Sequence, residues 1–386
     1  MPDVVVVGAG PVGTLLAAAL ARRGVDVTLL ERRTEPGSGT RAIGLHAPVL
    51  AALEEGGATD RILERAVRVR RGEARSDGRL LGVVRFDRLN ARHPFVATLP
   101  QAETEAALAV GVPTAHRGVT VTGIRAEGDL VRIIADGPGA LELSAPLVVV
   151  AGGAGARGLV FRPGTPAQTV YPDRYLMTDA DVPGRTDTDV AVVHLAPSGV
   201  LESFPLPGGR RRFVAWDRDA GSDTGGAGAE EDGARLARLR AALADRGEAE
   251  AVTAVQSASS FGVRRVIAPR LRRGRIFVIG DTAHEVSPIG GQGMNLGLLD
   301  AATLAPLLAS WLRTGREPEA ELATWERARM RSARWAARLA ALNTGLGRPQ
   351  TAGGHAVRAT VLRTALGVAG PLAARGYAMG FDAAAR

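Results

Sequence analysis

An α/β fold of two interleaved parts, closed by a helical C-terminal region, is what this 386-residue sequence predicts. Three observations carry that expectation. An apolar run, VVVV at residues 4–7, enters a glycine-rich turn and then a helical stretch. A second strand–turn–helix passage, RIFVIGDTAHEVSPIGGQGMNLG, returns at residues 275–297. Between them, TDVAVVHLA, GVLESFPLP and RRRFVAWD read as short alternating strands bounded by Pro and Gly.

The first passage contains Gly8-Ala9-Gly10-Pro11-Val12-Gly13, a GxGxxG spacing placed between a strand and a helix. In that context Gly8 permits the tight turn, Gly10 lets backbone approach a pyrophosphate, and Gly13 lets helix and strand pack closely. The helix N-terminus then faces negative charge. The next expected strand, residues 25–30, ends in Glu31, whose carboxylate would accept hydrogen bonds from a ribose diol. This is a Rossmann-like dinucleotide site, and by itself it does not distinguish FAD from NAD. The second glycine-rich passage points to the longer ligand. Two contacting segments far apart in sequence suit FAD, with the adenosine end at residues 8–31 and the ribityl and isoalloxazine end near 281–295. Asp281, at a strand terminus, can accept a ribityl hydroxyl. A helix beginning near Gly293 would direct free N–H groups at the flavin edge where negative charge develops on reduction.

Composition narrows the alternatives. The net charge is +8, and all 48 basic residues are arginine. Aromatics make up only 4%, so the basic stretches lack the stacking residues of a nucleic-acid enzyme, and no nucleic-acid partner is expected. From residue 313 to 386 there are 12 Arg against 5 acidic residues, which reads either as a solvated helical tail or as a basic surface for an acidic partner or lipid. The absence of cysteine excludes disulfides, thiolate metal sites and a cysteine nucleophile. The six histidines show no metal-ligand spacing, and no metal is expected. MPDVVVVGAG carries no basic leader or apolar h-region, and no apolar stretch reaches 18 residues without a charge or breaker. A cytoplasmic protein without a transmembrane segment is therefore expected.

Along the chain, RLLGVVRF reads as a strand, residues 101–110 as a helix, and residues 119–150 as a β-meander returning to a central strand. Residues 219–233 read as a flexible loop, 234–246 as a helix, SSFGVRRVIAPRL as a return strand, and residues 317–343 and 351–381 as helical. The expected division gives residues 1–75, 96–168 and 266–320 to the dinucleotide-binding domain. It gives 76–95 and 169–265 to a substrate-binding β-sheet domain, and 321–386 to the helical end.

Four stretches, VVVVGAGPVGTLLAAALARRGVDVTLLERR, TRAIGLHAPVLAALEEGG, HPFVATLPQAETEAAL and RIFVIGDTAHEVSPIGGQGMNLGLLDA, resemble the class A flavoprotein monooxygenases. This is the para-hydroxybenzoate hydroxylase-like family, and the likeness is nearest to the aromatic polyketide and anthracycline-type hydroxylases. The resemblance implies a Rossmann-like FAD-binding domain interleaved with a β-sheet substrate domain. It implies Glu31 as the ribose-binding acid, Arg32 and Arg41 near adenosine and pyrophosphate, and Gln101 beside the ribityl–phosphate region. Asp281 matches the GD-motif aspartate, and Pro288, Gly290, Gly291, Gly293, Met294 and Asn295 match the loop and helix start around the isoalloxazine. In such enzymes NADPH or NADH reduces FAD, O₂ adds at C4a, and the resulting hydroperoxide attacks an electron-rich aromatic carbon.

The implied activity is hydroxylation or epoxidation of a small aromatic or polycyclic, polyketide-type substrate. One motif departs from the family. A GADGARS-like run is replaced by AGGAGARG, with Ala154 at the aspartate position, Gly158 at the serine position, and Arg157 retained. That change favours an alternative, an FAD-dependent oxidase or cyclisation-type tailoring enzyme served by a separate flavin reductase. A non-enzymatic flavin-binding subunit is a further alternative. His284, beside the GD motif, reads equally as a catalytic or a structural residue, and no catalytic residue is assigned.

Overall fold

The computed structural model describes residues 1–35, 37, 42–137, 141–217, 229–380 and 382. Val4–Val7 lies inside a six-stranded sheet ordered Arg272–Arg273, Ile276–Val278, Leu147–Val150, Val4–Val7, Val27–Glu31, His116–Arg117. All pairings are parallel except the edge pair Arg272–Arg273 with Ile276–Val278. Parallel strands covered on both faces need continuous apolar sequence, and Val4–Val7 and Leu147–Val150 are buried at every position.

Helix Pro11–Ala21 packs against helix Gly293–Thr314, so the two glycine-rich passages meet at one end of this sheet. The closeness depends on missing side chains. A Cβ on Gly13 would stand 1.9 Å from the Gly8 carbonyl oxygen, and one on Gly297 would stand 2.6 Å from Val12 Cγ2. Gly293–Thr314 is long and apolar enough to cross a membrane, but 67% of its apolar window is buried within the fold and it holds Asp300 at its centre. It is the core helix of the dinucleotide-binding domain.

The second large sheet has eight strands, ordered His284–Glu285, Ser259–Ile267, Gln168–Asp181, Arg210–Trp216, Gly199–Leu206, Val190–Ala196, Arg71–Ser76, Arg79–Arg85. The three alternating strands read from sequence lie at its centre. The 14-residue strand Gln168–Asp181 was not foreseen, because Pro172 falls within it; the ladder accommodates the proline with a register shift between Val170 and Arg174. Arg71–Ser76 pairs in parallel with Val190–Ala196, so the chain enters this sheet before the boundary expected after residue 75. Of the loop expected over 219–233, residues 219–228 lie outside the described residues, and 229–233 belong to helix Ala229–Ala244.

Helices Glu319–Gly347 and Ala352–Tyr377 form the C-terminal region, and the second lies along strand Arg79–Arg85. The arginines of this region are not all a solvated face. Arg329 is fully buried, Arg358 donates to the carbonyls of Leu346, Arg348 and Ala196, and Arg348 pairs with Asp173 at 2.8 Å.

Gly13→Ala should lower the stability by about 1–3 kcal/mol, the range for overpacking a tight core contact. Urea unfolding of the purified protein measures this directly; an unchanged midpoint would show that helix and turn can part without cost.

Candidate functional site

The ends of the parallel strands open on a cleft of about 1120 Å³. Gly8, Gly10, Pro11, Glu31, Arg32 and Gln101 line one part of it. Asp281, Pro288, Gly291, Gly293 and Met294 line the other, and residues 151–153 join them. Two helices begin at this cleft, Pro11–Ala21 after Gly10 and Gly293–Thr314 after Gln292, and neither has a side-chain cap on its first turn. Uncapped first-turn N–H groups attract anionic or strongly accepting groups. A Cβ added at Gly10 would meet nothing within 4 Å, so the turn leaves room for close backbone approach. Donors and shape together fit a long nucleotide with a pyrophosphate.

Glu31 ends its strand with 5% of its surface exposed. Its Oε2 accepts from the Ala9 N–H at 2.8 Å, and its Oε1 accepts from the backbone and Nε of Arg33, each at 3.0 Å. Burial pushes the carboxyl up, but these hydrogen bonds outweigh it and hold the group below the usual carboxylate range. The acid therefore braces the glycine turn from below as well as facing the cleft. Gln101 bridges two segments, accepting from the Ala42 N–H at 3.3 Å and donating to Glu105 at 2.9 Å.

At the other end, Asp281 sits exposed to the cleft in the short turn Gly280–Thr282, and its carbonyl accepts from Arg157 at 2.6 Å. Gly290 and Gly291 have φ of +106° and +68°, a backbone region that side chains disfavour. Asn295 is wholly buried and does not line the cleft. Its Oδ1 accepts from the His46 N–H at 2.9 Å, and its Nδ2 donates to the carbonyls of Gly44 and Gly291 at 2.8 and 2.9 Å. It fastens the glycine loop to the segment at 44–46. Gly13 and Gly290 likewise shape the walls without lining them, and Arg41 lies outside the described residues.

His284 is 1% exposed, and its Nε2 meets Asp300 Oδ2 at 2.6 Å. Asp300 also accepts from the Gly280 N–H at 3.1 Å and from Arg329 Nε at 2.7 Å. Arg329 completes its donors on Asp382 at 2.6 Å and the Leu296 carbonyl at 3.1 Å. Burial pushes Asp300 up, but the charges of His284 and Arg329 overcome this and hold it at about 2. An ionised Asp300 accepts from the Nε2–H of His284, which is buried and does not line the cleft.

Among the cleft residues that sequence reading missed are Val119–Thr122, Arg33, Glu285, and the sheet residues Phe261, Gly262 and Arg264. Phe261 stacks on Tyr175 at 5.7 Å between centroids, giving the cleft an aromatic wall. Glu285 lies between Arg157 and Arg264, at 2.9 and 3.2 Å. Only the pairing of Ser259–Ile267 with the edge strand His284–Glu285 brings these groups together, and local sequence carries no sign of it.

Residues 1–340 match the FAD-binding-domain family, and the chain belongs to it, as a member of the class A flavin-dependent monooxygenases. It is 33% identical over 330 residues to the 6-methylpretetramide 4-monooxygenase of Streptomyces rimosus, covering 81% of this chain and 56% of that protein. It is 31% identical over 339 residues to the rifampicin monooxygenase of Streptomyces venezuelae, covering 84% and 67% respectively. The chain thus spans little more than half the length of the first of these relatives. Among solved structures, BexE, studied for oxidation during BE-7585A biosynthesis, superposes with a TM-score of 0.77 at 27% identity, over 99% of this chain and 77% of that one. The p-nitrophenol 4-monooxygenase of Pseudomonas putida DLL-E4, at 23% identity and a TM-score of 0.82, shares the fold over 100% of this chain and 98% of its own.

Arg329→Met should cost about 3–5 kcal/mol, since it leaves Asp300 and Asp382 buried without their shared cation. The depressed value of Asp300 adds a sign. Its stabilising contribution is complete above its ordinary 3.8 and fades as pH falls toward about 2. The destabilisation, read by urea unfolding, should therefore be greater at pH 6 than at pH 3. An equal loss at both would place the stabilising charge elsewhere.

Proposed function

We propose that the chain is an FAD-dependent monooxygenase that hydroxylates or epoxidises an aromatic or polycyclic, polyketide-type substrate. It uses O₂ as co-substrate and NADPH or NADH as transient electron donor, and it works in the cytoplasm. The observation that carries this reading is the single cleft in which the two glycine-rich passages meet beneath an aromatic sheet wall. Gly8, Gly10, Pro11, Glu31 and Arg32, with Arg41 and Gln101, would hold the adenosine and pyrophosphate part of FAD. Asp281 would hold the ribityl chain, and the loop and helix start at 288–295 the ring. Bound FAD would accept two electrons from a nicotinamide and activate O₂. The chain's own work is placement: helix N-termini offer positive potential, Asp281 and Glu31 accept hydroxyls, and Phe261 with Tyr175 excludes water from the aromatic side.

A second reading, a flavoprotein tailoring enzyme of oxidase or cyclisation type with a separate reductase, is favoured by Ala154. That residue opens the short helix Ala154–Leu159 beside Gly153 and Gly155 of the cleft. Arg157, the expected neighbour of a carboxylate here, is already engaged by Glu285 and by the Asp281 carbonyl.

Purified protein should be yellow, with about one FAD per chain as the dinucleotide site implies. Asp281→Ala removes a charged acceptor worth about 1–3 kcal/mol. Flavin affinity, measured by titration of the apoprotein, should drop roughly tenfold to a hundredfold. Unchanged affinity would place the ribityl contact on another residue.

Ala154→Asp is expected to speed anaerobic flavin reduction by NADH or NADPH while leaving FAD content nearly unchanged. If stopped-flow traces show that the wild type already reduces quickly and the variant no faster, Ala154 has no bearing on the donor and the monooxygenase reading gains. Slow reduction in both, relieved by a separate reductase, would favour the second reading.

A further inference from the structure

Seven carboxylates are buried among the described residues, and six of them have a cationic partner. Glu31 pairs with Arg33, Asp173 with Arg348, Asp217 with Arg238, Glu248 with Arg185, and Asp300 and Asp382 with Arg329. The seventh, Glu202, is 8% exposed and has no hydrogen bond or ion pair. An unpartnered buried carboxyl destabilises the ligand-free protein, and this fold satisfies its other buried acids.

Its position says what it faces. In the ladder Glu202 stands opposite Val193 on one side and Val214 on the other, and Val214 stands opposite Met177. Paired and alternate residues share a face of a sheet, so Glu202 is on the face of Tyr175, whose partner across the next ladder is Phe261 of the cleft wall. The Tyr175 hydroxyl is buried, makes no well-formed hydrogen bond and has the Thr344 side chain near it. Opposite this face, Tyr377 donates to Asn343 Oδ1 at 2.7 Å, and Asn343 Nδ2 lies 3.1 Å from where a Cβ on Gly290 would stand. Glu202 is close enough to both tyrosines for its charge to add to the upward push that burial gives their hydroxyls. A small polar patch is thus set into an apolar sheet face next to the 288–293 loop.

We propose that Glu202 is a specificity-determining residue that, with Tyr175, hydrogen-bonds a ring hydroxyl of the aromatic substrate and so selects phenolic rings over bare hydrocarbons. This rests on the aromatic-hydroxylase reading above. A site built to pair a substrate hydroxyl rejects the analogue lacking it, because its own buried groups are then left unmet. A carboxyl can accept from the phenol when ionised, or donate to it when protonated. Burial pushes Glu202 up to about 7, so both forms are accessible near neutrality.

The test compares wild type, Glu202→Gln and Glu202→Met as FAD-loaded proteins. In the first arm, 1-naphthol and naphthalene are titrated against the flavin absorption spectrum. Wild type should bind 1-naphthol at least roughly tenfold tighter than naphthalene, the worth of one well-made hydrogen bond. Glu202→Met should erase that preference and Glu202→Gln should keep part of it. Equal preference in wild type and Glu202→Met would overturn the inference alone, whereas a flavin that responds to neither aromatic would remove the aromatic-hydroxylase reading with it.

The second arm needs no ligand. Between its ordinary 4.5 and about 7 the folded protein keeps a proton on Glu202 that the unfolded chain has released, so this residue lowers stability as pH rises through that window. Tyr175 and Tyr377, both pushed upward by burial, stay neutral there, Asn343 does not titrate, and the Asp173–Arg348 pair is common to all three proteins. Glu202→Met should therefore melt above wild type, by a wider margin at pH 8 than at pH 5. A lower melting temperature for Glu202→Met at pH 8 would make Glu202 a structural residue and overturn the proposal.

Discussion

The carboxylate of Asp300 ties the GD turn and the helix Gly293–Thr314 to the C-terminal helices. It sits in the middle of an apolar helix and accepts from the Gly280 backbone, His284 and Arg329 at once. A charge so placed is tolerable only because both of its oxygens have donors. The GD turn is thereby hung from the helix behind it, and Arg329 carries the same constraint into the following helix and on to Asp382. Asp281 can face the cleft as an exposed acceptor because its neighbour Gly280 is held from inside.

The rest of the cleft follows a similar division of labour. Polar side chains that line it are few, and the residues that fix its backbone are buried. Glu31 braces the first glycine turn through the Ala9 N–H, and Asn295 fastens the second to the backbone at 44–46. Rigid backbone donors around a site are effective because they need no reorganisation when charge develops there. The eight-stranded sheet contributes the opposite quality, an apolar wall, and reaches the cleft through its edge strand His284–Glu285, which follows directly on the GD turn. One continuous piece of chain therefore belongs to both the nucleotide floor and the sheet above it.

Much of this was legible because glycines and strand termini carry local signatures. GxGxxG after VVVV, the acid at residue 31 and the glycine cluster at 290–293 state their geometry in a few neighbouring residues. The Asp300–Arg329–Asp382 chain joins charges 29 and 53 positions apart, with no pattern to mark them. Gln168–Asp181 was hidden by Pro172, which local rules place at a strand edge or break. Glu202 was hidden for another reason. In GVLESFPL a lone acid reads as the solvent side of an alternating strand, but this strand is buried on nearly every residue, so alternation carries no inside–outside information. Helix Ala229–Ala244 begins inside GAEEDG, where glycine and acidic residues suggested loop; acidic residues early in a helix favour its N-terminus.

The strand order of the parallel sheet has a consequence for the timing of assembly during synthesis. Val4–Val7 leaves the ribosome well before Leu147–Val150, which flanks it and in turn requires Ile276–Val278. Until residue 278 has emerged, an apolar strand made for burial on both faces has an open edge beside it. The long sequence separation makes closure entropically slow and exposes the nascent chain to mispairing. The first glycine turn can form from local contacts, but the part of the cleft lined by Asp281, Pro288, Gly291, Gly293 and Met294 cannot exist until those residues have been made. An FAD captured before then would meet only the first glycine turn and its neighbours, and stable loading has to wait for the strand Ile276–Val278 and the helix Gly293–Thr314.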